Sequence, residues 1–364
     1  GLMSGTSGDG VDTSIIRTNG VSQYNLIKDK YFEYDSDIYK DIHNLKEKIH
    51  TMEHLKIYQN EINSLERKIT IFHAQIVKQL SLSNDTIIGF HGQTIYHNSE
   101  EKISRQLGNG KLLNQLTNMN IVFNFRANDM SNSGEGAPLT PIFHHLLSIQ
   151  NNIKLPLCIL NIGGISNITI IKDKYNLSEL ISKDIGPGNC LIDNWVRKNS
   201  NKKFDKDGHM AGSGEKNQII FEQAQELYLN RNNKKKLSFD TNDFDISFVR
   251  GLSLEDGVAT LTYFTAGIIS EELTLSLKNS KQKIQNILLC GGGRKNKFLL
   301  EKIKENLSPN IRLKLIDDYK IDGDFIESQA FAFLAIRSLL GLPISFPNTT
   351  GCKTPSTGGE LIKN

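Results

Sequence analysis

The stretch GLMSGTSGDGVD, Gly1–Asp12, carries the pattern on which the fold prediction rests. Its glycines allow turns with positive φ and a close approach of the backbone to a ligand. Amide N–H groups in such a loop can point at phosphate oxygens. Asp9 or Asp12 is suitably placed to hold the Mg²⁺ that accompanies a nucleotide. A glycine-rich hairpin without a ligand is the alternative that this loop alone leaves open.

Two further stretches repeat the pattern. Cys158–Ile171, CILNIGGISNITII, reads as a strand, a Gly163-Gly164 turn and a second strand. Ile287–Asn296, ILLCGGGRKN, reads as a buried strand that breaks into three glycines before a helix. Together the three stretches predict a duplicated α/β architecture with a nucleotide bound between its halves.

Length and composition exclude several classes of protein. The 364 residues allow two domains, and 38% hydrophobic with 23% charged residues is typical of a globular protein. A net charge of +3 is too small to indicate a nucleic acid or a membrane surface as partner. No stretch approaches the roughly 18 consecutive apolar residues of a membrane span, and no signal peptide is visible.

The four cysteines lie far apart and form no CxxC pair. This spacing predicts reduced thiols in a cytoplasmic protein, without a disulfide framework or a zinc site. Because a strand usually precedes a glycine turn like the first one, we also expect a few residues ahead of Gly1.

Two segments of the first half have clear periodicity. Residues 40–80 place apolar side chains at spacings of three and four, which predicts one long amphipathic helix. Thr86–Phe90 reads as a short buried strand that ends in polar His91–Thr94. Polar groups at the end of a strand can reach a ligand, although a buried structural role for His91 is the alternative.

The segment Ile121–Pro141 begins as a strand and becomes rich in Ser, Gly and Pro. This change in composition predicts a domain boundary near Gly134–Pro141. Arg126 and Asp129 lie just before it. Such groups at the mouth of a cleft could hold a polar ligand through paired hydrogen bonds.

Asp184 precedes a Gly-Pro-Gly turn, and apolar periodicity through Leu191–Val196 predicts a helix after the turn. An acid at a helix start lies in the positive field of the helix dipole, which favours the ionised form that a general base needs. A simple turn or capping role for Asp184 is the alternative. Asp193 falls on the polar face of that helix, where it could orient a ligand or be a solvated charge.

This combination of motifs closely resembles the anhydro-N-acetylmuramic acid kinases, which belong to the superfamily of sugar kinases, Hsp70 and actin. The matching segments cover nearly the whole chain in order: GLMSGTSGDGVD at 1–12, GFHGQTIYH at 89–97, GEGAPLTPIFHH at 134–145, LNIGGISN at 160–167, DIGPGNCLIDNW at 184–195, FDKDG at 204–208 and LCGGGRKN at 289–296.

The resemblance implies an α/β fold of two actin-like, ribonuclease H-like lobes with a nucleotide cleft between them. It implies a kinase that uses ATP and Mg²⁺ to open the 1,6-anhydro bond of the amino sugar and phosphorylate O6, a step of peptidoglycan recycling. The expected lobes are residues 1–137 and 138–345, with a tail, 346–364, that returns to the first lobe. A homodimer is also implied.

By the same resemblance, individual positions receive roles. Asp184 matches the general base that takes a proton from the attacking water. The expected ATP-binding residues are Gly5, Thr6, Ser7, Gly8, Asp9, Gly10, Val11, Asp12, Asn161, Gly163, Gly164, Asn167, Gly291, Gly292 and Gly293. The expected substrate-binding residues are Thr94, Asn128, Gly186, Asn189, Asp193 and Glu327. Asp9 and Asp12 are the expected Mg²⁺ ligands.

The chain departs from the family pattern at Asn124, Asn128 and Glu135, where a carboxylate, an arginine and a glutamine are usual. The loss of a charge near the sugar would affect affinity more than reaction type. Two alternatives stay open: a sugar kinase of the same superfamily that acts on another hydroxyl, and a nucleotide-binding switch without turnover of a small molecule.

Overall fold

The computed structural model describes residues 1–83, 85–230, 236–280 and 283–364. The chain divides into two compact units. Unit 1 consists of Gly1–Ile153, Lys174–Ile181 and Asp324–Asn364, and unit 2 consists of Lys154–Asp173 and Ser182–Gly323.

The strands of the described residues are β1 (Leu2–Ser4), β2 (Gly10–Thr18), β3 (Tyr24–Glu33), β4 (Ile87–Asn98), β5 (Ile103–Leu107), β6 (Asn120–Phe123), β7 (Leu157–Ile162), β8 (Ile165–Ile171), β9 (Ile181–Pro187), β10 (Asn286–Cys290), β11 (Arg312–Leu315) and β12 (Glu360–Ile362). The α-helices are α1 (Ser36–Lys48), α2 (Met52–Ile57), α3 (Gln59–Gln79), α4 (Gly110–Thr117), α5 (Ala127–Ser131), α6 (Pro141–Gln150), α7 (Cys190–Asn199), α8 (His209–Ser213), α9 (Gln218–Leu229), α10 (Leu254–Lys278), α11 (Lys297–Asn306), α12 (Ile326–Leu339) and α13 (Pro347–Thr350). None of these helices is long and apolar enough to cross a lipid bilayer.

The sheets of the two units share one topology. In unit 1 the strand order is β3-β2-β1-β4-β6, with β12 beyond β6 and β5 paired to β4. In unit 2 the order is β9-β8-β7-β10-β11. The first two strands of each sheet, β1 and β2 in unit 1 and β7 and β8 in unit 2, are antiparallel. The last two of the order, β4 and β6 in unit 1 and β10 and β11 in unit 2, lie parallel to the first strand. This repeated, mixed 3-2-1-4-5 order is that of a ribonuclease H-like domain, so the expected α/β class and its duplication are confirmed.

The helical periodicity of residues 40–80 was assigned too broadly. The prediction of one helix is wrong, because α1, α2 and α3 replace it. The first break follows Lys48, where Ile49 adopts an extended conformation and is fully buried. The apolar stripe is nevertheless correct within α3, since Ile62, Leu65 and Ile69 lie in the core of unit 1.

The division into units differs from the expected lobes at both ends of the second lobe. Helix α6 falls in unit 1, where Phe143 packs edge-on against Tyr24 at 5.2 Å between ring centroids. Helix α12 also falls in unit 1, and the hydroxyl of Ser328 lies 2.6 Å from that of Ser14 on β2. These packing contacts are between residues far apart in sequence, which a local change in composition does not report.

Three buried histidines of unit 1 are held in their neutral form. Burial lowers the pKa of His73 and of His144 from 6.5 to about 4. Burial, with the nearby charge of Arg126, lowers that of His91 to about 3. Each ring packs in the interior, as His73 does against Phe90 at 4.9 Å.

We therefore expect the free energy of unfolding to fall as the pH is lowered from 7 to 5. The unfolded chain binds protons below its histidine pKa of about 6.5 while the native rings stay neutral until about pH 4, so stability is lost across that window, by roughly 1–2 kcal/mol per histidine at pH 5. Urea denaturation at pH 7 and at pH 5 measures the change in the free energy of unfolding. His73→Phe should make the dependence shallower, and a flat profile in the wild type would contradict the assignment.

Candidate functional site

The first glycine loop is the tight turn between β1 and β2. The Gly8 N–H donates to the Gly5 carbonyl at 3.1 Å and closes the turn. Gly8 has a φ of +62°, and a Cβ there would lie 2.9 Å from the Ile42 side chain, so the turn needs glycine at this position. The Ser7 hydroxyl donates to the Asp9 carboxylate.

The carbonyl groups of this loop are bonded from the protein side. The Gly5 carbonyl accepts from Gln93 Nε2 at 3.0 Å, and the Thr6 carbonyl accepts from Lys46 Nζ at 2.8 Å. The Asp9 carbonyl accepts from the Tyr34 N–H at 3.0 Å. Because the C=O and N–H of one planar peptide point in opposite directions, the bonds to the Gly5 and Thr6 carbonyls turn the N–H groups of Thr6 and Ser7 away from the protein.

The backbone N–H groups of Thr6, Ser7 and Asp9 donate to no group among the described residues. Thr6 and Ser7 are exposed. Adjacent unpartnered amides in a glycine-rich turn form a concave site for an anion. The loop is therefore suited to hold phosphate oxygens.

Asp9 and Asp12 lie close to one hydroxyl group. Burial, followed by the carboxylates of Asp9, Glu33 and Asp12, raises the pKa of Tyr31. Within the described residues no group of three or more His, Cys, Asp or Glu side chains could hold a metal ion. Mg²⁺ in nucleotide sites uses one or two carboxylates together with phosphates and water, so the pair Asp9 and Asp12 fits that ion.

The second glycine loop joins β7 to β8, the same pair of strands in the topology of unit 2. The Gly163 carbonyl accepts from the Asn189 N–H at 2.8 Å, and the Gly164 carbonyl accepts from the N–H groups of Gly188 and Cys190 at 2.9 and 3.1 Å. The Gly164 N–H donates to no group in the described part of the chain. The carbonyl groups of this hairpin thus accept hydrogen bonds from the protein, as those of the first hairpin do.

The segment after β9 forms this support. A Cβ at Gly188 would lie 2.2 Å from the Gly163 carbonyl oxygen, so only glycine permits the approach. Gly186 packs against Ile268, and Asn189 precedes α7. Gly186 and Asn189, expected to bind substrate, therefore lie beside the hairpin expected to bind ATP. Asp193 lies half-buried in the first turn of α7.

The third glycine stretch adjoins the second at the carboxyl ends of β10 and β7. Asn161 pairs with Cys290 across these parallel strands and accepts from its thiol at 3.7 Å. Gly291–Gly293 follow at once, and a Cβ at Gly292 would meet nothing within 4 Å. Asn167 lies opposite Asn161 in the hairpin, and its buried Oδ1 has no partner among the described residues. Ligands of open α/β sheets commonly bind at such strand ends.

Arg294 fixes the third stretch and was missed by the sequence analysis. Its guanidinium forms two 2.8 Å bonds to Asp317 and one of 3.2 Å to Asp322, and Nη1 donates to the Gly291 carbonyl at 3.1 Å. The basic residue after the glycines was visible, but its acidic partners are distant in sequence.

Asp184 lies within β9 and not at a helix start, so the helix-dipole argument is wrong in its geometry. Its Oδ2 accepts from the Phe239 N–H at 2.8 Å, a bond that stabilises the charged carboxylate. Only 8% of the residue is exposed. The carboxylate nevertheless lines a pocket of unit 2, whose wall includes Lys183, Tyr228, Lys236, Phe239, Phe244 and Glu272.

The expected sugar residues of unit 1 have different environments. Thr94 lies in mid-strand, because β4 continues past Phe90 to Asn98, and its hydroxyl accepts from Gln106 at 3.2 Å. Glu327 is half-buried in the first turn of α12. Asn128 is exposed and donates to the Thr357 carbonyl of the tail at 2.7 Å.

Asp129 does not serve as a ligand group, contrary to the sequence interpretation. Its carboxylate is fully buried and accepts from the Gly136 N–H at 2.7 Å and from the hydroxyls of Ser345 and Thr350. Arg126 donates to the Gly136 carbonyl at 2.7 Å and lies 2.9 Å from His91. Both residues therefore organise the polypeptide around the glycine-rich segment.

The cysteines agree with the prediction of unpaired thiols. All four are free. Burial raises the pKa of both Cys158 and Cys190 to about 12, so neither forms a reactive thiolate at neutral pH.

Comparison with known proteins places these features in a family. The family model described as anhydro-N-acetylmuramic acid kinase matches residues 1–364. The anhydro-N-acetylmuramic acid kinase of Pelagibacter ubique (strain HTCC1062) is 55% identical, over 100% of this chain and 98% of that protein. That of Agrobacterium fabrum (strain C58) is 34% identical, over 100% and 98%.

Similarity to solved structures is remote. The crystal structure of gluconate kinase from Lactobacillus acidophilus gives a TM-score of 0.34 at 15% identity, over 56% of this chain and 41% of that one. The fold assignment accordingly rests on the strand topology above. The full-length family match and the two relatives show that the chain belongs to the anhydro-N-acetylmuramic acid kinase family.

Proposed function

We propose that this chain uses MgATP to open 1,6-anhydro-N-acetylmuramic acid hydrolytically and to phosphorylate its O6, giving N-acetylmuramic acid 6-phosphate. The observation that carries the proposal is the pair of equivalent hairpins. In each hairpin, carbonyl groups accept hydrogen bonds from the protein, and backbone N–H groups have no acceptor among the described residues. Family membership supplies the identity of the substrate.

The phosphate chain is assigned to the amides of the two hairpins. In unit 1 the donors are the N–H groups of Thr6, Ser7 and Asp9, and in unit 2 the donor is that of Gly164. Phosphoryl transfer depends chiefly on alignment and charge neutralisation, which preorganised amides supply without a dedicated acid. Asp9 and Asp12 would hold the Mg²⁺, which supplies positive charge beside the phosphates.

The adenosine end is assigned to the adjoining strand ends of unit 2. Gly291–Gly293 present a backbone without side chains, and Gly292 has open space where a Cβ would lie. Asn161 and Asn167 supply amide groups beside them, and the unpartnered Oδ1 of Asn167 is ready to accept a hydrogen bond.

Asp184 is assigned as the general base. Its carboxylate takes a proton from the water that attacks the anomeric carbon, and the bond from that carbon to O6 breaks. O6 then attacks the γ-phosphorus, and the bond from that phosphorus to the bridging oxygen breaks to release ADP. The N–H of Phe239 holds one carboxylate oxygen at 2.8 Å and favours the ionised form that accepts the proton.

The sugar is assigned to polar groups of both units. Thr94 and Glu327 of unit 1 and Gly186, Asn189 and Asp193 of unit 2 are the proposed contacts. The pocket that Asp184 lines adds aromatic side chains, which suit the apolar faces of a sugar ring. Asn128, which already bonds to the tail, is the weakest member of the set.

The setting of the reaction follows from these assignments. A kinase that draws on ATP and carries four unpaired cysteines suits the cytoplasm. Its product would feed the recycling of peptidoglycan. Neither nucleic acid nor a membrane surface is proposed as a partner. The homodimer and the nucleotide cleft between two lobes stay predictions.

The reaction itself is tested by incubating the protein with 1,6-anhydro-N-acetylmuramic acid and MgATP and identifying the product by mass spectrometry. We expect N-acetylmuramic acid 6-phosphate, and none when ATP is omitted. Turnover of a simple hexose with no turnover of the anhydro sugar would favour another sugar kinase activity. ATP hydrolysis that no sugar stimulates would favour a switch.

Replacement of the base should separate chemistry from binding. Asp184→Asn keeps an oxygen that can accept from Phe239 but cannot take the proton, so turnover should fall by about 10²-fold or more. ATP affinity, measured by calorimetry, should be retained. Asp245→Asn, an exposed acid of unit 2, is the matched control. An unchanged rate in Asp184→Asn would place the base elsewhere.

The support of the second hairpin can be tested with one added methyl group. Gly188→Ala forces a Cβ against the Gly163 carbonyl, so the hairpin must move and ATP affinity should fall by about tenfold, as for a lost hydrogen bond to a charged group. Gly212→Ala in α8, where a Cβ would make ordinary contacts at 3.6 Å, is the control. Equal ATP affinity in the two variants would refute the role of this contact.

A further inference from the structure

Gln93 on β4 is a buried polar side chain that belongs to none of the assigned sites. Its side chain is fully buried beneath the first glycine loop and faces Ser4 across the β1–β4 pair. A Cβ at Gly8 would lie 3.6 Å from its Oε1, so the amide sits directly under the turn. The sequence places it in the polar segment His91–Thr94 without a role of its own, and the proposed reaction gives it none.

Both ends of the Gln93 amide are bonded. Oε1 accepts from the Ser4 hydroxyl at 2.7 Å, and Nε2 donates to the carbonyls of Gly5 at 3.0 Å and Thr94 at 3.2 Å. Tyr34 places its hydroxyl 3.0 Å from Ser4 Oγ. The orientation of the amide is determined by chemistry, because the opposite one would place an acceptor against two carbonyl oxygens.

We propose that Gln93 is a positioning residue that sets the direction of the phosphate-binding amides. The bond from Nε2 to the Gly5 carbonyl fixes the peptide that joins Gly5 to Thr6, and the N–H of that same peptide is the Thr6 donor. The inference rests on the proposed ATP function. It extends that function by linking the phosphate loop to Thr94, the expected sugar contact, through one buried amide.

This role predicts a loss that depends on the phosphate chain. Without the Nε2 donor the half-buried Gly5 carbonyl keeps only the Gly8 N–H of the turn itself, so the peptide loses its one hydrogen bond to β4 and is held less firmly. The proposed contacts of the nucleoside are made by other residues, those around Gly291–Gly293. Affinity for ATP should therefore fall while affinity for AMP is retained, a pattern that a general loss of structure does not produce.

The test is calorimetry of AMP, ADP and ATP with Mg²⁺ on the full chain. Gln93→Met removes the amide without adding charge, and we expect the Kd of ATP to rise about tenfold, with that of AMP within about twofold of wild type. Gln150→Met is the matched control, because Gln150 also bonds both backbone groups of a residue, Tyr24, in unit 1.

A second variant covers the case in which Gln93→Met does not fold. Ser4→Ala removes the hydroxyl that holds Oε1 and that also lies 2.9 Å from the Gly10 carbonyl, and it should weaken ATP binding by about threefold and spare AMP. Equal losses for AMP and ATP, or unchanged affinity for ATP, would overturn the role of Gln93 while the ATP site stands. A wild-type protein that binds none of the three nucleotides would overturn the proposed function as well.

Discussion

The proposed phosphate site depends on the rigid opposition of C=O and N–H within one peptide group. In each glycine stretch a carbonyl is bonded by the protein: that of Gly5 by Gln93, that of Gly163 by Asn189 and that of Gly291 by Arg294. Since the peptide is planar, each bond also aims the next amide outward. Donors fixed in this way cost little reorganisation when an anion binds.

The repeated strand topology explains why this arrangement of bonded carbonyl groups and outward N–H groups occurs in both units. Both hairpins join the first two strands of a 3-2-1-4-5 sheet, and the first of these strands lies next to the parallel fourth strand. The end of that strand in unit 2 leads into the third glycine stretch, whereas β4 of unit 1 continues and provides Gln93 and Thr94. The same scaffold thus yields three glycine turns with different supports.

Glycine turns and apolar strands could be predicted from sequence because their signals are local. The hydrogen-bonding partners that hold these turns could not be predicted, since Gln93 and Gly5 are 88 positions apart and Arg294 and Asp317 are 23 apart. Asp184 was placed at a helix start because its Gly-Pro-Gly neighbours are typical of a turn, yet β9 continues through them to Pro187. Asp129 was assigned to a ligand because its buried partners Ser345 and Thr350 lie more than 200 positions away.

The most direct measurement is an NMR titration of the amide-labelled protein with MgATP. The account predicts that the N–H signals of Thr6, Ser7, Asp9 and Gly164 shift strongly on binding, since phosphate oxygens replace water as their acceptors. It predicts small shifts for the N–H signals of Gly188 and Asn189, which already donate within the protein. Shifts confined to other parts of the chain, with these four signals unmoved at saturating MgATP, would contradict it.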